Sequence, residues 1–207
     1  MKNSRRDFVK KSGLITGGLT LAPWLSNVSF SQSNVNDTIK VALIGCGGRG
    51  TGAIVQALST KENIQLVAMA DVFRDRLDGC YKSIMTSREK DKSAKALPVH
   101  QKVDVPEDHK FVGFDAYKKA MELADVVILT TPPGFRPYHF EEAVNQGKQI
   151  FMEKPVATDP AGIQRVLAAA KIAKQKKLNV VVGLQRHYQN SYRELMKRVQ
   201  DGQIGDI

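Results

Sequence analysis

Apolar and polar positions along the chain follow two alternating rhythms. Runs that are apolar throughout, IKVALI at 39–44, IQLVAMA at 64–70, DVVILTT at 125–131, QIFME at 149–153 and LNVVVGL at 178–184, predict buried strands. Stretches with helical spacing separate them at 50–59, 74–86, 115–123, 138–146 and 190–200, and a short strand is expected near Phe111–Val112. The best-marked helix follows Asp159, which suits the N-cap, with Pro160 in the first turn. Ile163, Val166, Leu167, Ala170 and Ala173 recur along it at helical spacing. Lys174, Lys176 and Lys177 close it, where the helix dipole favours cations. Residues 87–109 are polar, include Pro98 and Pro106, and read as a long surface loop or insertion. Strands apolar on both faces, alternating with helices, predict an α/β fold: a doubly wound parallel sheet covered on both sides by right-handed crossovers.

The first 31 residues break this rhythm. Ser4-Arg5-Arg6-Asp7-Phe8-Val9-Lys10 is basic, and the stretch from Ser12 to Ser31 is uncharged. A basic region followed by a modest apolar one describes a signal peptide, with cleavage expected after Ser31. The apolar part is too short and too glycine-rich for a membrane span. The paired arginines resemble a twin-arginine export signal, which makes the export machinery a partner and the periplasm the expected location. The polar SQSNVNDT, 31–38, reads as a linker.

Charge changes the picture less than its total suggests. The formal net charge is +10, from 31 Lys/Arg and 21 Asp/Glu. Residues 1–31 hold five of those bases and one acid, which leaves 26 against 20, or +6, for the remainder. That remainder is dispersed, with few aromatics between, and does not form a nucleic-acid-binding stripe. Cys46 and Cys80 are no disulfide framework and read as two unpaired thiols. No cluster with metal-ligand spacing stands out.

Candidate chemistry begins with Gly45-Cys46-Gly47-Gly48-Arg49-Gly50, which matches G-x-G-x-x-G. It follows one strand, opens a helix, and precedes a second strand that ends at Asp71, 21 positions beyond Gly50. Gly45 permits the tight turn, Gly47 lets a pyrophosphate approach the backbone, and Gly50 lets helix pack on strand. Gly48 and Arg49 complete the loop, whose helix start presents free N–H groups to phosphate. Asp71 can accept hydrogen bonds from the adenosine ribose and would repel a 2′-phosphate, so NAD is favoured; Arg74 and Arg76 keep NADP open. Three further strand exits carry unusual residues: Thr130-Thr131-Pro132, Glu153-Lys154-Pro155 and Gln185-Arg186-His187. A lysine at such a rim, beside a cofactor, can move protons; Lys154 reads equally as a surface lysine paired with a carboxylate.

IGCGGRG, the AD ending in Asp71, TTPPGFRPYHFEEAVNQGKQIFMEKP, GLQRHYQNSY and GQIGDI together resemble the Gfo/Idh/MocA oxidoreductases. The resemblance runs from about Lys40 to the last residue, and GKQIFMEKP with His139 upstream is its most specific part. It implies an NAD- or NADP-binding Rossmann domain, with Lys154 catalytic near the nicotinamide and Glu153 holding that side of the cofactor. It also implies that Thr131 and Pro132 line the groove, that Arg186 faces cofactor or substrate, and that His139 is structural or cofactor-adjacent. The family's second, α+β substrate domain is largely absent from this chain, so its catalytic residues have no counterpart here. The expected organisation is a signal peptide at 1–31, a linker at 32–38, the NAD(P)-binding Rossmann domain at 39–185, and a connecting helix with the start of a truncated substrate domain at 186–207. The implied activity is hydride transfer between nicotinamide and a sugar, cyclitol or related polyol. Redox-neutral glycoside cleavage with bound NAD is the alternative, as is non-catalytic nucleotide binding if the chain is complete. A homo-oligomer is expected of the complete protein.

Overall fold

A computed structural model describes residues 38–87 and 98–205. The export signal, its cleavage site and nearly all of the linker lie outside the described residues, as do 88–97 of the polar insertion. Six strands form one sheet in the order β3-β2-β1-β4-β5-β6, every neighbouring pair parallel. They are β1 Ile39–Ile44, β2 Ile64–Asp71, β3 Lys110–Val112, β4 Val126–Leu129, β5 Gln149–Met152 and β6 Val180–Val182. The order reverses direction at β1, so the crevice beyond the carboxyl ends of β1 and β4 is the topological switch point where such sheets bind ligands.

Helices α1 Gly48–Leu58 and α2 Arg74–Met85 cover one face; α3 Ala116–Glu122, α4 Arg136–Asn145 and α5 Pro160–Gln175 cover the other. The strands feed both cores by alternation. In β1, Val41 and Leu43 pack toward Ile54, Leu58 and Leu77, whereas Ala42 and Ile44 pack toward Ala120, Phe140 and Val144. Two short helices, α6 Gln185–Tyr188 and α7 Asn190–Gln200, follow β6.

Three expectations change. The polar insertion is not all loop: it forms 3₁₀ turns at Val99–Lys102 and Glu107–His109, and Val103 makes a parallel bridge to Leu66. Val99 and Val105 are buried there, and Lys102 buries its stem while its ammonium donates to Thr60 O (2.5 Å) and Glu62 O (3.0 Å). In α5 the buried line is Val166, Ala169 and Ala173; Ile163 (41% exposed), Leu167 (59%) and Ala170 face outward. Small residues at 169 and 173 let the helix lie close on its neighbours, so the stripe is narrower than the apolar spacing suggested. Strands β4 and β6 end before their apolar runs do, because Thr130, Thr131 and Gly183 turn outward into the exits that build the site.

Candidate functional site

A cavity of about 1150 Å³ opens over the carboxyl ends of the strands. Gly45, Gly47, Arg49, Asp71, Thr131, Pro132, Glu153 and Lys154 all line it, so the geometry brings together most of the residues singled out from the sequence. Its volume is ample for a dinucleotide-sized ligand.

The glycines act at different points. Gly45 has φ +95°, and a Cβ there would stand 2.6 Å from Thr131 N. A Cβ on Gly50 would stand 2.0 Å from Gly45 O, so only glycine lets α1 start this close to β1. Gly47 is the reverse case: a Cβ would meet nothing within 4 Å, and this residue borders the cavity. The start of α1 carries no side-chain cap, so its first-turn N–H groups are left for an anion. Bare backbone donors, open space at Gly47 and the acid at the end of β2 fit a dinucleotide diphosphate and ribose. Gly48 stands in the same turn but outside this cavity's lining.

Asp71 does more than line the cavity. Its Oδ2 accepts from Cys46 N at 2.6 Å and its Oδ1 from Phe73 N at 3.0 Å, so the carboxylate braces the glycine loop from β2. Thr130 braces it from β4, its hydroxyl lying 2.7 Å from Gly45 O and 3.0 Å from Ile44 O. Cys46 and Cys80 are free and buried as expected, and Thr51 Oγ1 donates to Cys80 Sγ at 3.2 Å. The neighbouring Cys80 thiol and burial raise the Cys46 thiol far above its ordinary value.

At the opposite end, Arg49 reaches from the glycine loop to Glu153, with Nη2 and Nε 2.5 and 2.7 Å from Oε1. Glu153 is 6% exposed, and its carboxylate lies where a side chain on residue 183 would be: a Cβ on Gly183 would come within 2.7 Å of Oε1. Lys154 is exposed at the cavity and has no ion pair among the described residues; Glu153, its neighbour, is committed to Arg49. The reading of Lys154 as one half of a surface pair therefore finds no support.

Arg136 is the residue the sequence reading missed. It is 2% exposed, and its Nη1 donates to Glu153 O and Pro155 O, its Nη2 to Thr131 O. One guanidinium thus ties the β4 exit to the carbonyls on either side of Lys154. Burial pulls its pKa below the ordinary guanidinium value, and Glu153 opposes that shift. The only sequence signal was an arginine directly after the proline-rich exit, in a helix whose neighbours are apolar. His139, one turn on, is buried, shares a 3.1 Å hydrogen bond with Thr131 Oγ1 and packs on the Tyr117 ring at 4.1 Å. Burial, and then Arg136, lower its pKa to about 4, so it is neutral at pH 7, and it lines the cavity beside the exit.

Arg186 is placed differently from its expected role. It lies outside the cavity lining, with its guanidinium 5.4 Å from the Tyr192 ring centroid; Gln185, the preceding residue, lines the cavity instead. Among the described residues no group of three His, Cys, Asp or Glu side chains is arranged to hold a metal, and no helix is long and apolar enough to cross a membrane.

The family model described as "Oxidoreductase family, NAD-binding Rossmann fold", GFO_IDH_MocA, matches residues 39–184. An inositol 2-dehydrogenase of Serratia proteamaculans (strain 568) is 32% identical over 173 residues, which cover 82% of this chain and 43% of that protein. A glycosyl hydrolase family 109 protein of Solibacter usitatus (strain Ellin6076) is 29% identical over 163 residues, 75% of this chain and 34% of that one. The crystal structure of apo scyllo-inositol dehydrogenase from Lactobacillus casei superimposes with a TM-score of 0.59 at 25% identity, covering 84% of this chain and 44% of that one. The chain therefore spans less than half the length of these relatives.

Proposed function

Because the chain belongs to the NAD-binding Gfo/Idh/MocA family of oxidoreductases, we propose that the protein transfers hydride between nicotinamide and a sugar, cyclitol or related polyol. The observation that carries this is the convergence of the glycine loop, Asp71 and the Glu153-Lys154 exit on one cavity. Bound nicotinamide supplies the redox chemistry. The chain's own residues do the rest. The N–H groups of α1 hold the diphosphate, Asp71 takes the ribose hydroxyls, and Thr131 and Pro132 line the groove. Glu153, fixed by Arg49, borders the nicotinamide side. Lys154 takes or returns the proton on the substrate oxygen. The resemblance to inositol 2-dehydrogenases supports a polyol substrate. Full-length protein, given NAD⁺ and a panel of inositols and sugars, should show NADH absorbance with at least one of them. Lys154→Ala should lower kcat by about 10²-fold or more while NAD⁺ still binds. Turnover that survives this change would refute the assignment of Lys154.

A second reading has an observation of its own. The likeness to a glycosyl hydrolase family 109 protein supports redox-neutral glycoside cleavage with bound NAD. Product analysis separates the two: a ketone or aldehyde with equimolar NADH, or a released sugar with none.

We also propose export. The Ser4–Lys10 segment supports the twin-arginine route to the periplasm. That route carries folded proteins, so the cofactor would be loaded before export and recycled in place. Arg5→Lys/Arg6→Lys should retain the protein in the cytoplasmic fraction. A periplasmic form that is nucleotide-free yet fully active would defeat the loading idea.

A further inference from the structure

The adenosine end of the cavity is where NAD and NADP differ, by one phosphate on the ribose 2′ oxygen. Two arginines follow Asp71 in the first turn of α2, and the structure treats them differently. Arg76 lines the cavity with Asp71 and Phe73 and has no ion pair among the described residues. Arg74 does not line it. The Arg74 Nε donates to Asp78 Oδ2 at 3.0 Å, and its Nη2 pairs with Glu107 Oε1. Glu107 belongs to the 3₁₀ turn just before β3, the strand that pairs with the end of β2 through Asp71 and Val112. Its other oxygen is held by Lys110 Nζ at 3.0 Å, and that ammonium sits 3.9 Å from the Tyr81 ring centroid on α2. The carboxylate is thus anchored from its own side, and two acids occupy the Arg74 guanidinium.

We propose that Glu107, together with Asp78, is a coenzyme-specificity residue: it holds Arg74 away from the ribose 2′ position and so withholds one of the two arginines that could meet a 2′-phosphate, leaving only Arg76 of the two at the cavity. A phosphate is best recognised by a guanidinium whose donors are free. Here the Nε and Nη2 of Arg74 are engaged by two acids, so NADP is disfavoured twice, by the Asp71 carboxylate and by this occupation of Arg74. NAD, which carries no 2′-phosphate, is indifferent to the second effect. The polar insertion, which the chain's pattern marks only as a surface loop, thereby acquires a role in ligand choice. Arg74, Asp78 and Glu107 are half exposed, with side-chain exposures of 49%, 51% and 64%, so the effect belongs to the ratio of two affinities rather than to binding as such.

This rests on the nucleotide-binding reading of the cavity, and wild-type protein tests that reading first: titration calorimetry that finds no NAD⁺ binding would sink both. With binding established, NAD⁺ and NADP⁺ dissociation constants are measured for wild type, Asp78→Asn/Glu107→Gln, Arg74→Ala and the triple variant. In the double variant NADP⁺ should tighten about fivefold or more while NAD⁺ stays within about twofold. The gain should vanish when Arg74→Ala is added, and Arg74→Ala alone should leave both constants unchanged. Unchanged NADP⁺ affinity in the double variant overturns the proposal. So does a gain that survives loss of Arg74, since it would then reflect removal of negative charge near the site or recruitment of Arg76.

Discussion

Arg136 shows how one buried side chain can set a whole strand exit. Its guanidinium is buried at the edge of the cavity and donates to three carbonyls, of which the one on Glu153 belongs to a buried residue. Arg136→Met should therefore cost about 1–3 kcal/mol in a denaturant titration, the cost of leaving one buried carbonyl unpaired. Arg136→Lys, with one ammonium for three acceptors, should recover only part of that. His139 adds a pH dependence with a definite sign. Its folded pKa, about 4, lies below the ordinary 6.5, so the unfolded chain takes up the proton first as pH falls. The stability from the neutral ring is whole above pH 6.5 and is lost between pH 6.5 and 4, on the order of 3 kcal/mol in all. Unfolding midpoints of wild type and His139→Gln across that interval measure it; parallel curves would show that His139 is not the responsible group.

Helix α5 makes the difference between an apolar residue and a buried one. The cap at its start is as the sequence indicates: Asp159 Oδ1 accepts from Gly162 N at 2.8 Å. Asp159→Ala should cost about 1 kcal/mol. The face is narrower than the spacing suggests, so substitutions should sort by burial and not by hydrophobicity. In this chain Leu167→Gln should stay within about 0.5 kcal/mol of wild type, whereas Ala169→Leu should cost about 1–3 kcal/mol by overpacking. Equal losses at both positions in thermal melts would contradict the packing described for α5. Helix α1 starts against β1 at Gly50, and Gly50→Ala must push it off β1 because the added carbon has no space beside Gly45 O and Thr130 Oγ1.

The cavity joins both halves of the sheet, since its walls come from the exits of β1 and β2 on one side of the switch point and β4 and β5 on the other. A ligand bound there stabilises the described unit as a whole. NAD⁺ at a hundredfold excess over its dissociation constant should raise the unfolding free energy by about 2.7 kcal/mol. Gly50→Ala should abolish most of that shift in a thermal melt with and without NAD⁺. A full shift in this variant would mean that the nucleotide does not depend on the glycine loop.

Much of this molecule was legible in the order of its residues. Parallel strands buried on two faces must be apolar throughout, so β1, β2, β4 and β5 announced themselves. The tight turn at Gly45 and the close approach at Gly50 require residues without a side chain, so the loop did too. The acid at the end of β2 and the lysine after β5 stand at strand exits, which a doubly wound order brings to one edge. What the sequence could not settle were contacts between residues far apart in the chain. Arg136 reads as a polar residue in a helix until three carbonyls from two exits are seen around it. The partner of the Glu153 carboxylate goes unseen until Arg49, 104 positions away, is found on it. The polar insertion reads as solvent-facing until Val99 and Val105 are seen under α1 and α2 and Glu107 on Arg74. Local periodicity and turn chemistry act within a few residues and decide which elements form; the pairing of buried charges depends on where the sheet carries each exit, and only the tertiary structure decides that.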